Sequence, residues 1–529
     1  MFKIFAISLI VSGQLFAAYL VKQTVRSGKV QIESVQKINK IVDRKILLKD
    51  IREAIAEKEA TANVQYQEWL IPNGEITSSQ KKVLFSKKFE ANFPNSEVRE
   101  LVKTGRDENR IVLAIIGDGY TLEEKDKYFG DVNRMVDDLF REITFKSYLP
   151  LFNIYVVFTP SNDSGITDLV EKDTAFGLYR APKGSKRGVM PGDRLAMERA
   201  LRLASNKVDY PIVIANDDYY GGLGGRYAIT TRSLNSGSMV LRHELGHNFS
   251  NVGEEYDGGQ VYSGANFSRS SNVPWKHWVK GKTQVHKAKF LTGAYVWKDL
   301  TGADFVDSFK FPNMPGYTFS MKLSSVGWTN DQEVKVMLDG KELELDGVFT
   351  KDRSFFNTVR TSLSSGEHEI RVQDHSHDGD NVLAYANAYA FPKDYNFTHG
   401  VVGAFNVFDA YADERGFRPT HNQCLMRNMR SKVFCPVDQE NIWLRFFKVV
   451  DLIDEVKVEE KVRVETVDLD NLDIRWFKRG FWGSEEELEE LRGKREVSLP
   501  EGKYLVEVEF KTKEIRKQKV IDKKKFQID

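Results

Sequence analysis

Three uninterrupted apolar runs constrain what this chain can fold into more than any other feature. They are "IVLAIIGD" from Ile111, "LFNIYVVFTP" from Leu151 and "YPIVIAN" from Tyr210. Each is short, rich in β-branched residues and free of polar alternation, which is how a strand buried on both faces reads. The segments between them supply the covering helices. Thr121 and Glu124 form a capping box ahead of one amphipathic stretch, and "RLAMERALRLAS" is another. Strands alternating with helices predict an α/β layer. The glycines of "GDGY" lack the third glycine of a nucleotide-binding fingerprint and read as a tight turn. Gly221, Gly222, Gly224 and Gly225 in "YYGGLGGRYAITTRS" lack the lysine and helix of a phosphate loop. They predict a mobile loop leading into an exposed edge strand, which an extended peptide can extend by backbone pairing.

The remainder of the 529 residues is large enough for several cores at 41% hydrophobic content. The charges, 29% of the chain, sum to only +1, which excludes the basic footprint of a nucleic-acid binder. The basic run "KEIRKQKVIDKKKF" reads as a solvated face. Residues 318–392 lose helical periodicity and carry a hairpin signal at Asp339-Gly340, predicting an inserted β-sandwich. Residues 455–529 predict a second β module of immunoglobulin-like size. At the other end, "MFKIFAISLIVSGQLFAAYL" reads as a signal peptide over residues 1–18, with a retained anchor as the alternative. This predicts a secreted, surface or periplasmic protein with no stable membrane span after removal of the signal. Residues 19–105 read as a propeptide or a small β-containing domain. In an exported chain Cys424 and Cys435 predict a disulfide, worth roughly 3 kcal/mol. Asn162, Asn248, Asn266 and Asn396 begin glycosylation sequons.

The chemistry concentrates in "HELGHNFSNVGEEYDGG", from His243 to Gly259. His243 and His247, four apart, share one helix face at zinc-ligand spacing. Glu244 is turned by about 100° from His243, so it reaches a water on the metal without ligating it. Leu241, Leu245, Phe249 and Val252 form an apolar stripe opposite. Gly253 is expected to end the helix in the left-handed conformation. Glu254, Glu255 and Asp257 then return carboxylates toward the histidines. A structural helix end has little use for three acids there, because unneutralised charge is costly. "DHSHDGDN", with Asp374, His375, His377, Asp378 and Asp380, reads as a polar hairpin loop, with a structural Ca2+ site as its functional alternative.

The active stretch resembles the signature of the IgA-peptidase family of secreted zinc metallopeptidases. "GDGYTLEEKDKYFGD", "FNIYVVFTPSNDSGITD", "YYGGLGGRYA", "NVPWKHW" and "FRPTHNQCLMRNMRSKVFCPVDQE" resemble family segments in the same order. The resemblance implies an α+β, metzincin-like zincin fold: an α/β N-lobe, an active-site helix and a C-lobe with a methionine turn. It places the catalytic domain at 106–317 and 393–454, interrupted by the sandwich. It implies one catalytic Zn2+ held by His243, His247 and Glu254, where the family typically carries Asp. Glu255 and Asp257 stand as alternative third ligands. Glu244 matches the general base and Met426 of "CLMR" the methionine turn, which Cys424 and Cys435 bracket. Tyr256 and His421 are candidate oxyanion donors. The implied reaction is hydrolysis of a protein or peptide substrate, with zinc lowering the pKa of its water toward about 7. A zinc hydrolase of non-peptide amides or esters is the rival within enzymes. A surface adhesion protein with a zinc-bearing scaffold is the rival outside them.

Overall fold

The computed structural model describes the strands Ala18–Arg26, Lys29–Ile38 and Gln65–Pro72. It also describes residues 93–529 apart from 94, 182–186, 259–262, 295 and 377–378. Of the expected signal peptide, residues 1–18, all but Ala18 lie outside the described residues. The chain divides into two units, residues 1–91 and 92–529. In the first, β1 (Ala18–Arg26), β2 (Lys29–Ile38) and β3 (Gln65–Pro72) form an antiparallel sheet with β1 central.

The second unit is built on a six-stranded sheet. Its strands are β4 (Glu97–Val102), β5 (Ile111–Asp118), β6 (Phe152–Phe158), β7 (Tyr210–Ala215), β8 (Gly222–Leu223) and β9 (Ala228–Thr231). They lie in the order β8-β9-β7-β5-β6-β4, with β9, β7, β5 and β6 parallel and the two edge strands antiparallel. Every residue of β5, β6 and β7 is buried, which accounts for the unbroken apolar runs. The helices are α1 (Lys125–Val136), α2 (Arg194–Ala204) and α3 (Gly237–Phe249). α2 covers the face bearing Ala114, Ile116, Val157 and Val213 with Met197 and Leu201. On the opposite face the Tyr128 hydroxyl of α1 donates to Ile115 O and Val157 O, and Phe249 of α3 packs on Phe152 and Tyr210. The capping box forms, with Thr121 N–H donating to Glu124 at 3.1 Å. Gly119 has φ of 76°, and a Cβ there would lie 2.3 Å from Gly165 O, so the Gly-Asp-Gly turn is a structural close approach.

Two boundaries move. Strand β4 pairs with β6, so the sheet begins near residue 97 and not at 106. Its sequence "EVRELV" is charged and half exposed because it is an antiparallel edge, so it carried no apolar signature. The β region expected from residue 318 begins at Lys289. Between Lys289 and Phe391 two antiparallel sheets enclose one core that includes Phe309, Met321, Trp328, Val336 and Ile370. The Asp339-Gly340 hairpin joins Leu338 to Lys341, and both turn residues have positive φ, as a two-residue hairpin requires.

After this module the chain adds Ala404–Phe408 and Glu414–Arg418 to a small sheet and then forms α4 (Pro436–Phe446). Seven strands from Ile453 to Ile528 make two further sheets, docked on α4 through Trp443 and Phe510. No helix among the described residues is long and apolar enough to cross a membrane.

Candidate metal centre and active site

Helix α3 carries the centre, and its placement is fixed from both ends. Gly237 approaches Thr231 so closely that a Cβ would lie 2.4 Å from its carbonyl oxygen, which seats the helix against β9. The Ser236 hydroxyl donates to Asp352 at 2.6 Å, so the β-sandwich braces the helix start. Leu241, Leu245 and Phe249 are fully buried on the back of the helix. The His243 and His247 rings stand together on the front, 4.9 Å apart and perpendicular.

The helix ends earlier than expected. It stops at Phe249, where Ser250 turns extended and its hydroxyl donates to Gly246 O at 2.6 Å. Gly253 is therefore not the stop and does not have positive φ. Its backbone is clamped instead by the Asn266 side chain, which accepts from Gly253 N–H and donates to Gly253 O, both at 3.0 Å. This clamp sets the course of the acidic turn. It also buries Asn266, which is 1% exposed, so that sequon offers no free amide for a glycan.

Glu254 is the acid that arrives at the histidines. Its carboxylate lies 3.1 Å from His247 Nε2 and 3.3 Å from His243 Nε2. His247 Nδ1 lies 3.2 Å from Val252 O, a partner that turns Nε2 toward the centre, as the outer shell of a metal-binding imidazole does. Glu254 Oε2 is buried with no hydrogen-bond partner. Two imidazole nitrogens and a carboxylate converging around an unsatisfied buried oxygen suit a zinc ion. Without metal, burial pulls His247 down, but the adjacent Glu254 outweighs it and holds the imidazole up at about 9. Burial pushes Glu254 up, yet the two histidines keep it well below the usual carboxylate range. Glu254 is thus drawn to the histidines even when no ion lies between them.

The alternative third ligands do not reach the histidines. Asp257 points the other way, 2.6 Å from the Arg427 guanidinium, and accepts from Tyr389 OH at 2.8 Å and Phe408 N–H at 3.1 Å. Glu255 accepts from Asn266 at 3.1 Å and joins a buried group with Cys424, Cys435 and Asp438. Burial and the Asp438 carboxyl raise its pKa well above the ordinary range. Alternation along an extended turn explains the division, because neighbouring side chains leave it on opposite sides.

Glu244 faces the glycine loop. A Cβ on Gly224 would lie 2.1 Å from Glu244 Oε2, so any larger residue there would push this carboxylate aside. The last strand of the sheet on this side is β8, inside the glycine loop itself, and it is half-buried, with Gly222 N–H donating to Arg187 O at 3.0 Å. The strand expected to be an exposed edge, β9, is buried and paired on both sides.

Met426 is fully buried, and its sulfur would lie 2.9 Å from a Cβ on Gly246, directly beneath the histidine-bearing turn of α3. Its carbonyl accepts from Glu255 N–H at 3.1 Å, linking this loop to the acidic turn. Tyr256 is half-buried beside a cleft with Lys322, Arg353 and Arg427. His421 is enclosed by the Phe391, Tyr395 and Phe397 rings, with Nδ1 3.0 Å from Tyr395 OH, and burial among nearby cations drives its pKa down. This is a packing environment.

The expected disulfide does not form. Cys424 and Cys435 are free thiols: Cys424 Sγ donates to Asp438 Oδ2 at 2.9 Å and accepts from Cys435 N–H at 3.3 Å. The calcium reading gains nothing from the described residues, because Asp374 Oδ1 is taken up by Ser376 and Asn381 of its own loop. His377 and Asp378 of that stretch lie outside the described residues. Sequence reasoning missed Asn266, Asp352, Tyr389 and Arg427, which hold the site from a distance, and Arg418, whose guanidinium lies 3.6 Å from Asp257. Only Arg427 carried a local signal, as the cation next to Met426 in a chain whose acidic turn needed one.

Residues 99–313 match the family model described as IgA Peptidase M64. No curated protein matches the chain. Among solved structures the chain is similar to one titled "Structure of beta-D-Glucuronidase for Dictyoglomus thermophilum", at 10% identity and a TM-score of 0.13. That similarity covers 47% of this chain and 45% of the other, so the chain spans less than half of that structure's length. A superposition so poor carries no argument about fold or function.

Proposed function

We propose, from the match of residues 99–313 to the family model described as IgA Peptidase M64, that the chain is an exported zinc-dependent endopeptidase. The observation that carries this reading is the convergence of His243, His247 and Glu254 on the α3 face from which Glu244 also projects. His243 and His247 would hold the ion through Nε2, and Glu254 through its carboxylate. When bound, zinc supplies Lewis-acid chemistry, polarising the scissile carbonyl and easing deprotonation of the attacking water.

The chain's own groups supply the rest. Glu244 takes the proton from the water and delivers it to the leaving amine. Gly224 lets the glycine loop lie close beside that carboxylate. The glycine loop passes beside Glu244, and a backbone-lined loop at that place favours an extended peptide over a small amide or ester. Tyr256 is the remaining candidate donor to the developing oxyanion, since rings enclose His421, and Met426 packs under the helix as a methionine turn does. A binding protein with an idle scaffold has no use for Glu244.

The test is metal removal and return. Dialysis against a chelator abolishes cleavage of a peptide mixture, and zinc restores it to wild-type protein but not to His243→Ala or His247→Ala. Full activity in the metal-stripped protein would overturn the reading.

A further inference from the structure

A second group of metal-ligating side chains lies behind the acidic turn. Glu255, Cys424, Cys435 and Asp438 each offer a ligand atom, and these atoms lie within 4.8 Å of one another. None of the four residues is more than 1% exposed. They come from three separate places: the acidic turn, the loop before Met426, and the first turn of α4, where Cys435 is the residue that precedes the helix. Glu255 Oε2 and Asp438 Oδ1 are buried without a hydrogen-bond partner. Buried carboxylate oxygens are ordinarily satisfied, so two orphans in one cluster with two thiols mark a place where a cation is missing from the donor balance.

We propose that Glu255, Cys424, Cys435 and Asp438 form a second metal site, for a divalent cation of the zinc class. Two thiolates select a borderline-soft ion and exclude calcium and magnesium, which take oxygen ligands. Four protein ligands meet the tetrahedral requirement of zinc and leave no position for water or substrate, which is the pattern of a structural site. On binding, both thiols and any protonated carboxyl lose their protons to solvent. The site ties the residue after Glu254 to the Met426 loop and to α4, alongside the hydrogen bond from Glu255 N–H to Met426 O. It thereby positions the catalytic ligand turn without touching the reacting atoms.

The test uses the full chain carrying His243→Ala and His247→Ala, so that the histidine centre is disabled and failure of the protease reading has no bearing on the result. Metal analysis after purification without chelator is expected to find a stoichiometric zinc-class ion retained. Replacing it with Co2+ is expected to give thiolate-to-cobalt charge-transfer absorption, which is lost on adding Cys424→Ser and Cys435→Ser. Both thiols should resist alkylation in the folded protein and react once it is unfolded with chelator. A metal-free protein, a cobalt spectrum without sulfur character, or a Cys424–Cys435 disulfide in a non-reducing peptide map would each overturn the proposal. These readouts on the histidine variant stand even if the cysteine variants fail to fold.

Discussion

The Arg427 guanidinium lies 2.6 Å from the Asp257 carboxylate, with both side chains almost wholly buried. This pair joins the residue after Met426 to the third residue after Glu254, so the floor under α3 and the acidic turn are held by one charge contact. Tyr389 adds a third tether from the β-sandwich. Asp257→Ala leaves Arg427 buried and uncompensated, and a loss of about 3–5 kcal/mol is expected by chemical denaturation. The double change with Arg427→Leu should recover part of that loss, because the stranded charge is gone.

Gly224→Ala tests whether the glycine loop sets the aim of Glu244. The new Cβ would fall 2.1 Å from Glu244 Oε2, and the carboxylate must swing away. Hydrolysis should fall by about 100-fold, the cost of roughly 1 Å of misplacement at a reacting group. Zinc content and the unfolding midpoint should stay near wild type, since the loop is at the sheet edge. Kinetics paired with metal analysis reads both.

Much of this architecture was legible because burial on two faces leaves a plain mark. Ile111–Ile116 and Tyr210–Ala215 are apolar throughout, and they are central parallel strands. The histidine pair was legible because helical spacing alone puts His243 and His247 on one face. What escaped depends on contacts distant in sequence. Asp257 was open as a ligand until Arg427 and Tyr389, well over a hundred residues away, were seen to occupy it. Glycine is the usual terminator, so the sequence points to Gly253 as the helix stop, whereas the Ser250 hydroxyl ends it sooner. Closeness of Cys424 and Cys435 along the chain suggested a bond, but their surroundings include two carboxyls that local sequence did not bring into view.

Asp107 gives the fold an acid limb. Burial pushes its carboxyl up, but contacts from Lys103, Ser205, Asn153 and Tyr155 outweigh that and bring it to about 2. A folded-state pKa below the unfolded one gives stability that is complete above about pH 4 and is lost as the pH falls through about 2. After allowance for solvent screening at this half-buried site, about 1 kcal/mol is expected. Asp107→Asn should therefore be less stable than wild type at neutral pH. The gap should close between about pH 4 and 2, as followed by urea unfolding across that range.

The central claim is that Glu244 moves the proton in peptide hydrolysis at the His243, His247 and Glu254 centre. Its most direct test is cleavage of a diverse peptide mixture by wild-type protein and Glu244→Gln at matched zinc content. The amide keeps the size of the side chain but cannot accept the proton. Cleavage by the wild type with a loss of at least about 100-fold in the variant, zinc still bound, is the result expected. Equal cleavage by both proteins would contradict the account.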